Sequence, residues 1–289
     1  MFMYDTYVKA FETYLMSINK SFYTKKQYTL DAKQFAEIIQ HTEHINEALQ
    51  HYAKEIQETY QKVNTINRKF ASIRQFLTFL QLRGVITAYN EALIQPLAKL
   101  DTELDVLKEK QFKRALSYWP YQYDIAQNAE HEWLALRNAA IVFTVAELGI
   151  KPAELVRMEW KHINKQTKEV IVLASKTFRS LPISTRLLEL LDDYKRFTEQ
   201  FMPLTDFSPY VWLGVGNKMG EPLTVKTIER IFKSMSEQME FKITATNLRY
   251  YTIQKELIQQ QETESLFEQF GYARKGVLTE REQRFPKNY

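Results

Sequence analysis

Between residues 66 and 80 the apolar side chains Ile66, Phe70, Ile73, Leu77 and Leu80 recur at alternating spacings of four and three. That period belongs to an α-helix with one continuous buried stripe, and a strand cannot accommodate it. A chain that carries such a stripe must supply other helices to cover it. The upstream sequence does so. Val8, Phe11, Leu15 and Ile18 share one helical face, Tyr28, Leu30, Phe35, Ile38 and Ile39 form a second helix, and residues 45–60 form a third. Thr24 is the expected N-cap of the second helix and Val63-Asn64-Thr65 the expected cap region of the fourth. Arg83-Gly84 ends the fourth helix, which also carries Arg68, Lys69 and Arg74 between its apolar positions.

Residues 90–105 have weak periodicity and contain Pro96, which places a domain linker there. A helix resumes over 107–119 and is expected to break at Pro120. Residues 134–148 form a strongly apolar helix ended by Gly149, and Pro152 suits the first turn of the next. Val170-Ile171-Val172-Leu173 reads as a strand, 176–180 as a turn, and Leu181-Pro182-Ile183 as the return strand. Further helices follow over 187–201, 225–239, 248–260 and 264–270, and the tail 273–289 is charged and weakly patterned. The predicted fold is mostly α, with one small antiparallel sheet in the second of two domains, 1–104 and 105–289.

Composition removes several classes of function. The 45% hydrophobic content of the 289 residues excludes full disorder. The absence of cysteine excludes disulfides, thiolate zinc sites and cysteine nucleophiles. No apolar run is long enough to span a membrane, and Met1-Phe2-Met3-Tyr4-Asp5 does not open a secretory signal, so the expected location is cytoplasmic. Gly214, Gly216 and Gly220 fit neither a dinucleotide fingerprint nor a P-loop. His44, Glu47 and His51, with His41 nearby, read as solvated side chains, so neither metal nor cofactor is expected. The formal charge of +4 permits a nucleic-acid partner without requiring one.

The second half carries more specific signals. Leu136-Arg137-Asn138-Ala139-Ala140, followed by Gly149-Ile150-Lys151-Pro152-Ala153-Glu154-Leu155, resembles the R-(D/N)-x-A…T-G-L-R-x-S-E-L block of the tyrosine recombinase and phage-integrase (Xer-like) family. Trp160-Lys161-His162-Ile163 is similar to that family's step into its sheet. Asn247-Leu248-Arg249-Tyr250 resembles its H-x-L-R-H box, and Phe270-Gly271-Tyr272 sits where the family has L-G-H. In the first half, the stretch from Asn67-Arg68-Lys69 to Arg83-Gly84 resembles the last helix of the family's core-binding domain. The resemblance implies a helical, SAM-like core-binding domain and a catalytic-type domain that together clamp duplex DNA, with Arg68, Lys69 and Arg74 facing phosphates. It also implies a possible second recombinase protomer, or a homo-oligomer on DNA, as partner.

In that family a tyrosine attacks a DNA phosphate while cations stabilise the charged transition state. By resemblance, the first arginine of the pocket falls at Lys151, which keeps charge but not the planar fork. The acidic helper falls at Glu154 and the lysine of the sheet turn at Lys176. The histidine of the box falls at Thr246, which cannot shuttle protons near neutral pH. The second arginine is Arg249, and the position after the glycine is Tyr272. The nucleophile's place falls at Arg281, and arginine is no nucleophile. The expectation is a degenerate member that binds DNA without cutting it. Two alternatives stay open: an active recombinase that uses a displaced tyrosine, Tyr272 or Tyr289, and a protein-interaction scaffold that has lost DNA binding.

Overall fold

The computed structural model describes residues 3–42, 44–98, 103–174, 177–202, 208–259, 263–272 and 275–286. The chain divides into two compact units, Met1–Asp101 and Thr102–Tyr289. Leu104 goes with the second unit, because its N–H donates to the Arg284 carbonyl at 2.8 Å and its side chain packs into a cluster built by the tail.

The described residues of the first unit form α1 (Met3–Ser17), α2 (Phe22–Ile39), α3 (Ile45–Thr59) and α4 (Val63–Leu82). Its core follows the apolar periodicity, with Phe11, Leu15, Phe35, Tyr52, Ile73, Phe76 and Leu80 all buried. Phe11 meets Phe76 edge-on at 5.0 Å between ring centres, and Phe35 meets Tyr52 in the same way at 5.5 Å. Two of the expected caps differ. Ser21, not Thr24, caps α2, its hydroxyl accepting from the Thr24 N–H. Lys62 precedes α4 with no side-chain cap. Gly84 leaves α4 at a φ of +68°, where an L-residue would be strained. The expected linker is partly structured: Glu91–Ile94 form a short 3-10 turn, Ile94 is buried, and Asn67 exchanges two hydrogen bonds with the backbone of Leu97.

The second unit is built around α6 (Ala129–Leu148), which is apolar on most of its circumference and therefore central. Packed on it are α5 (Glu109–Asp124), α8 (Thr185–Phe201) and α10 (Ala245–Gln259). The α5 helix runs through Pro120 rather than stopping there. The proline removes one N–H, and extended packing against α6 holds the helix together around that gap. Trp133 of α6 donates its indole N–H to Thr198 of α8 at 2.8 Å, which fixes the two helices at a buried polar point. The short α7 is Pro152–Leu155, and α9 is Val225–Gln238.

The sheet has three strands in the order β1 (Ile163–Asn164), β2 (Glu169–Leu173) and β3 (Phe178–Pro182), antiparallel throughout. Val170 pairs with Leu181 and Val172 with Arg179. Val170, Val172 and Leu181 are buried while Ile171 and Phe178 are exposed, so Arg179 points to the covered face. The tail carries more structure than its composition suggests. After α11 (Thr263–Gln269) comes α12 (Lys275–Glu282), and Leu278 and Phe285 are buried with Ile253, Leu266, Phe270 and Tyr272 in a core of their own. Two apolar anchors were too few to register as a periodic pattern. No helix among the described residues is long and apolar enough to cross a membrane.

Candidate anion-binding site

Lys151 and Glu154 share one turn. Gly149 ends α6 in the left-handed region, at a φ of +57°, and the chain re-enters helix at Pro152. The Lys151 N–H donates to Glu154 Oε2 at 2.9 Å, which turns the carboxylate back over the start of α7. Arg179 approaches from β3 as a fork, Nη1 to Oε1 at 3.0 Å and Nη2 to Oε2 at 2.9 Å. Glu154 is thus a buried carboxylate held from two sides. Burial raises its pKa, but the hydrogen bonds from Arg179 and the Lys151 N–H outweigh that and keep it below the ordinary carboxylate value.

Three consecutive carbonyls at the end of α11 each receive a cation. Arg179 Nε donates to Gln269 O at 2.8 Å, Arg249 Nη2 to Phe270 O at 2.9 Å, and Lys151 Nζ to Gly271 O at 2.7 Å. Carbonyls left without partners by a helix end carry partial negative charge, so this end gathers positive side chains from the turn before α7, from β3 and from α10. Gly271 makes the approach possible. Its φ is +58°, and a Cβ there would lie 2.6 Å from Arg179 Nη1. Gly271→Ala is expected to destabilise the chain by about 1–2 kcal/mol from the left-handed backbone alone. Urea denaturation measures this, and an unchanged midpoint would contradict it.

Tyr272 stands among the cations. Its ring centre lies 5.4 Å from the Arg249 guanidinium, 5.1 Å from that of Arg281 and 5.9 Å from Lys151 Nζ. Arg281, from α12, donates Nη1 to the Tyr250 hydroxyl at 2.9 Å and to the Tyr272 hydroxyl at 3.3 Å. Arg179 and Lys151 thus contact Glu154 directly, while Arg249 and Arg281 gather on the Tyr272 ring beside them. Among the described residues no acidic side chain pairs with Arg249 or Arg281, and the buried Nη1 of Arg249 has no hydrogen-bond partner. Burial lowers the pKa of Arg249, partly offset by Tyr272. Burial also lowers that of Lys151; Glu154 opposes this, while Arg249, Arg179 and Arg281 add to it. Such a site accommodates an anion that accepts several hydrogen bonds at once.

The structure thus brings together Lys151, Glu154, Arg249, Tyr272 and Arg281. Thr246 is exposed on the first turn of α10, where its neighbour Asn247 makes the capping bonds with Thr244. Lys176 and Tyr289 lie outside the described residues. Arg179, which the sequence reading missed by placing it in a turn, is the best-connected cation; it lies on β3 with the buried Val172 as its partner in register. In the first unit, Lys69 is buried, with Nζ bonded to Asp31 at 2.9 Å and Gln34 at 3.0 Å. Arg68 also pairs with Asp31, and Arg74 donates to the Ile94 carbonyl. The Arg68 side chain keeps 34% exposure, against 8% for Lys69, so of these two bases Arg68 is the accessible one.

No family model matches the sequence. Among curated proteins, the chain is 25% identical to a tyrosine recombinase XerD-like protein of Streptococcus mutans over 186 residues, which is 62% of this chain and 65% of that protein. It is 29% identical to tyrosine recombinase XerA of Pyrococcus furiosus over 117 residues, 40% of this chain and 39% of that one. The chain thus spans less than two thirds of the length of the relatives it matches. Among solved structures it resembles the XerH site-specific recombinase in a post-cleavage complex with a palindromic difH substrate, at TM-score 0.69 and 14% identity over 90% of this chain and 76% of the other. It also resembles a lambda integrase tetramer bound to a Holliday junction, at TM-score 0.70 and 15% identity over 99% of this chain and 78% of the other. At those identities the structural likeness establishes the fold.

Proposed function

Because the chain belongs to the tyrosine recombinase and integrase family, we propose that it is a DNA-binding member that holds a backbone phosphate in the cluster of Lys151, Arg179, Arg249 and Arg281 and does not cleave the strand. The observation that carries the reading is Arg281. By the resemblance Arg281 falls at the place of the family's nucleophile, and its guanidinium is hydrogen-bonded to the hydroxyls of Tyr250 and Tyr272. A protonated guanidinium has no lone pair with which to attack phosphorus, so the covalent step has no agent at that position. The same group adds charge to a site already rich in donors. Binding outlasts chemistry in this arrangement, because cations suffice to hold a phosphate.

Duplex DNA is the partner this reading takes, and a further recombinase protomer on the same DNA is compatible with it. The likeness to integrase and XerH structures that contain DNA supports the choice. On the first unit, proposed as the core-binding domain, Arg68 is the base best placed to add a phosphate contact.

The test has two arms. Binding to mixed-sequence duplex is measured across a salt series, and affinity is expected to fall steeply as salt rises. Incubation with nicked suicide substrates, followed by denaturing gels, is expected to give no covalent protein–DNA adduct. An adduct that disappears on Tyr272→Phe would establish cleavage by a displaced tyrosine. A folded protein that ignores duplex at low salt would leave a protein-interaction scaffold as the surviving reading.

A further inference from the structure

Arg281 is the cation that α12 brings to the cluster. Its guanidinium lies 5.2 Å from the centre of the Tyr250 ring and 5.1 Å from that of Tyr272, and donates to both hydroxyls. Neither partner is negatively charged. Arg249 packs on the same Tyr272 ring, and its buried Nη1 lacks an acceptor. A buried charged donor without a protein acceptor is costly, so Nη1 favours an anion placed beside it. The helix that carries Arg281 has eight residues, too few to be stable without tertiary support. Among its described side chains Leu278 is the buried one, joined just beyond the helix by Phe285, and Gln254 holds the backbone of Pro286 at 2.9 Å.

We propose that Arg281 is a ligand of the anion held by Arg249 and Lys151, and that anion binding thereby fastens α12 to the second unit. The inference rests on the phosphate reading above and deepens it. An anion placed among four cations relieves their mutual repulsion, and one of those cations arrives only when α12 is docked. The anion therefore binds the docked form more tightly than the undocked form. By linkage it must stabilise docking to the same degree. Replacement of the nucleophile by arginine is then a gain as well as a loss: the residue that would have formed a covalent bond to phosphorus contributes hydrogen bonds to its oxygens. The C-terminal helix becomes a latch that reports whether the site is filled.

The probes are inorganic phosphate and a short mixed-sequence duplex, and the readout is amide hydrogen exchange over residues 277–282 of the full chain. Saturating phosphate is expected to slow that exchange about five-fold or more, the size of a typical coupling between sites, and duplex to do the same. In Arg281→Gln the slowing is expected to vanish, with phosphate affinity reduced by a similar factor of about five. If Arg281→Gln undocks α12 even without phosphate, Arg281→Lys decides, since it keeps the charge and must retain a phosphate response. Equal phosphate affinity in the unsubstituted chain and Arg281→Gln, or exchange indifferent to phosphate, overturns the proposal. Failure of the two readings is distinguishable. Duplex binding that needs Arg249 while α12 stays indifferent sinks the latch alone, whereas phosphate that fastens α12 in a chain that ignores duplex sinks the DNA reading alone.

Discussion

Replacing Glu154 with alanine is expected to destabilise the chain by about 3–5 kcal/mol, the usual consequence of removing one partner from a buried ion pair. The carboxylate is buried, accepts both arms of the Arg179 fork, and accepts the Lys151 N–H. Without it, Lys151 and Arg179 lose the one acidic partner that the described residues give them, with Arg249 close by. The loss is read as a shift of the urea midpoint at neutral pH. Its pH dependence follows from the same contacts. The folded pKa of Glu154 lies below the ordinary value. The stabilisation is therefore complete above the unfolded-chain carboxylate value and is lost as pH falls through the lower folded one. Glu154→Gln, which keeps the shape but not the charge, is expected to flatten that acid limb. A Glu154→Ala chain as stable as the parent would mean that the cations are tied down by other contacts. Added phosphate is expected to rescue the variant in part, because the anion takes over some of the screening.

The second large effect is on binding. Arg249→Ala is expected to weaken affinity for mixed-sequence duplex roughly ten- to a hundred-fold, from the loss of about 1.5–3 kcal/mol in charge-assisted hydrogen bonds. The plot of log affinity against log salt is expected to lose close to one unit of slope, as for a lost phosphate contact. Arg249→Lys separates charge from shape, since the ammonium keeps the charge but cannot replace the fork, whose Nη2 holds the Phe270 carbonyl while Nη1 has no protein acceptor. Unchanged duplex affinity in Arg249→Ala, with the protein folded, would remove the phosphate cradle from the account.

The structure shows which parts of the sequence could be read directly. The stripe from Ile66 to Leu80 became α4 with its apolar face buried, because helical periodicity is a local property that survives in any tertiary context. The small antiparallel sheet was legible in part: β-branched residues marked β2, but the return strand, expected at 181–183, begins at Phe178 inside the expected turn. Pro120 was misleading: a proline's local cost was overridden by a long packed face. The tail was misjudged for the opposite reason, since α12 owes its place to two anchors and a guanidinium and has hardly any pattern of its own. Lys69 shows the limit for function. Its position on α4 suggested an outward base, yet Asp31 on α2 draws its ammonium into the bundle.

By itself the sequence determined the helical architecture and which side chains the chain has to work with, arginine at 281 included, since periodicity and side-chain chemistry are written along the chain. Only the tertiary structure decided how those charges are used. It took three carbonyls in a row at the end of α11 to collect Arg179, Arg249 and Lys151, and two tyrosines to hold Arg281 beside them. Contacts between residues as far apart as Lys151 and Gly271 depend on how helices and strands stack, and that arrangement sets which cations are neutralised within the protein and which remain for a ligand.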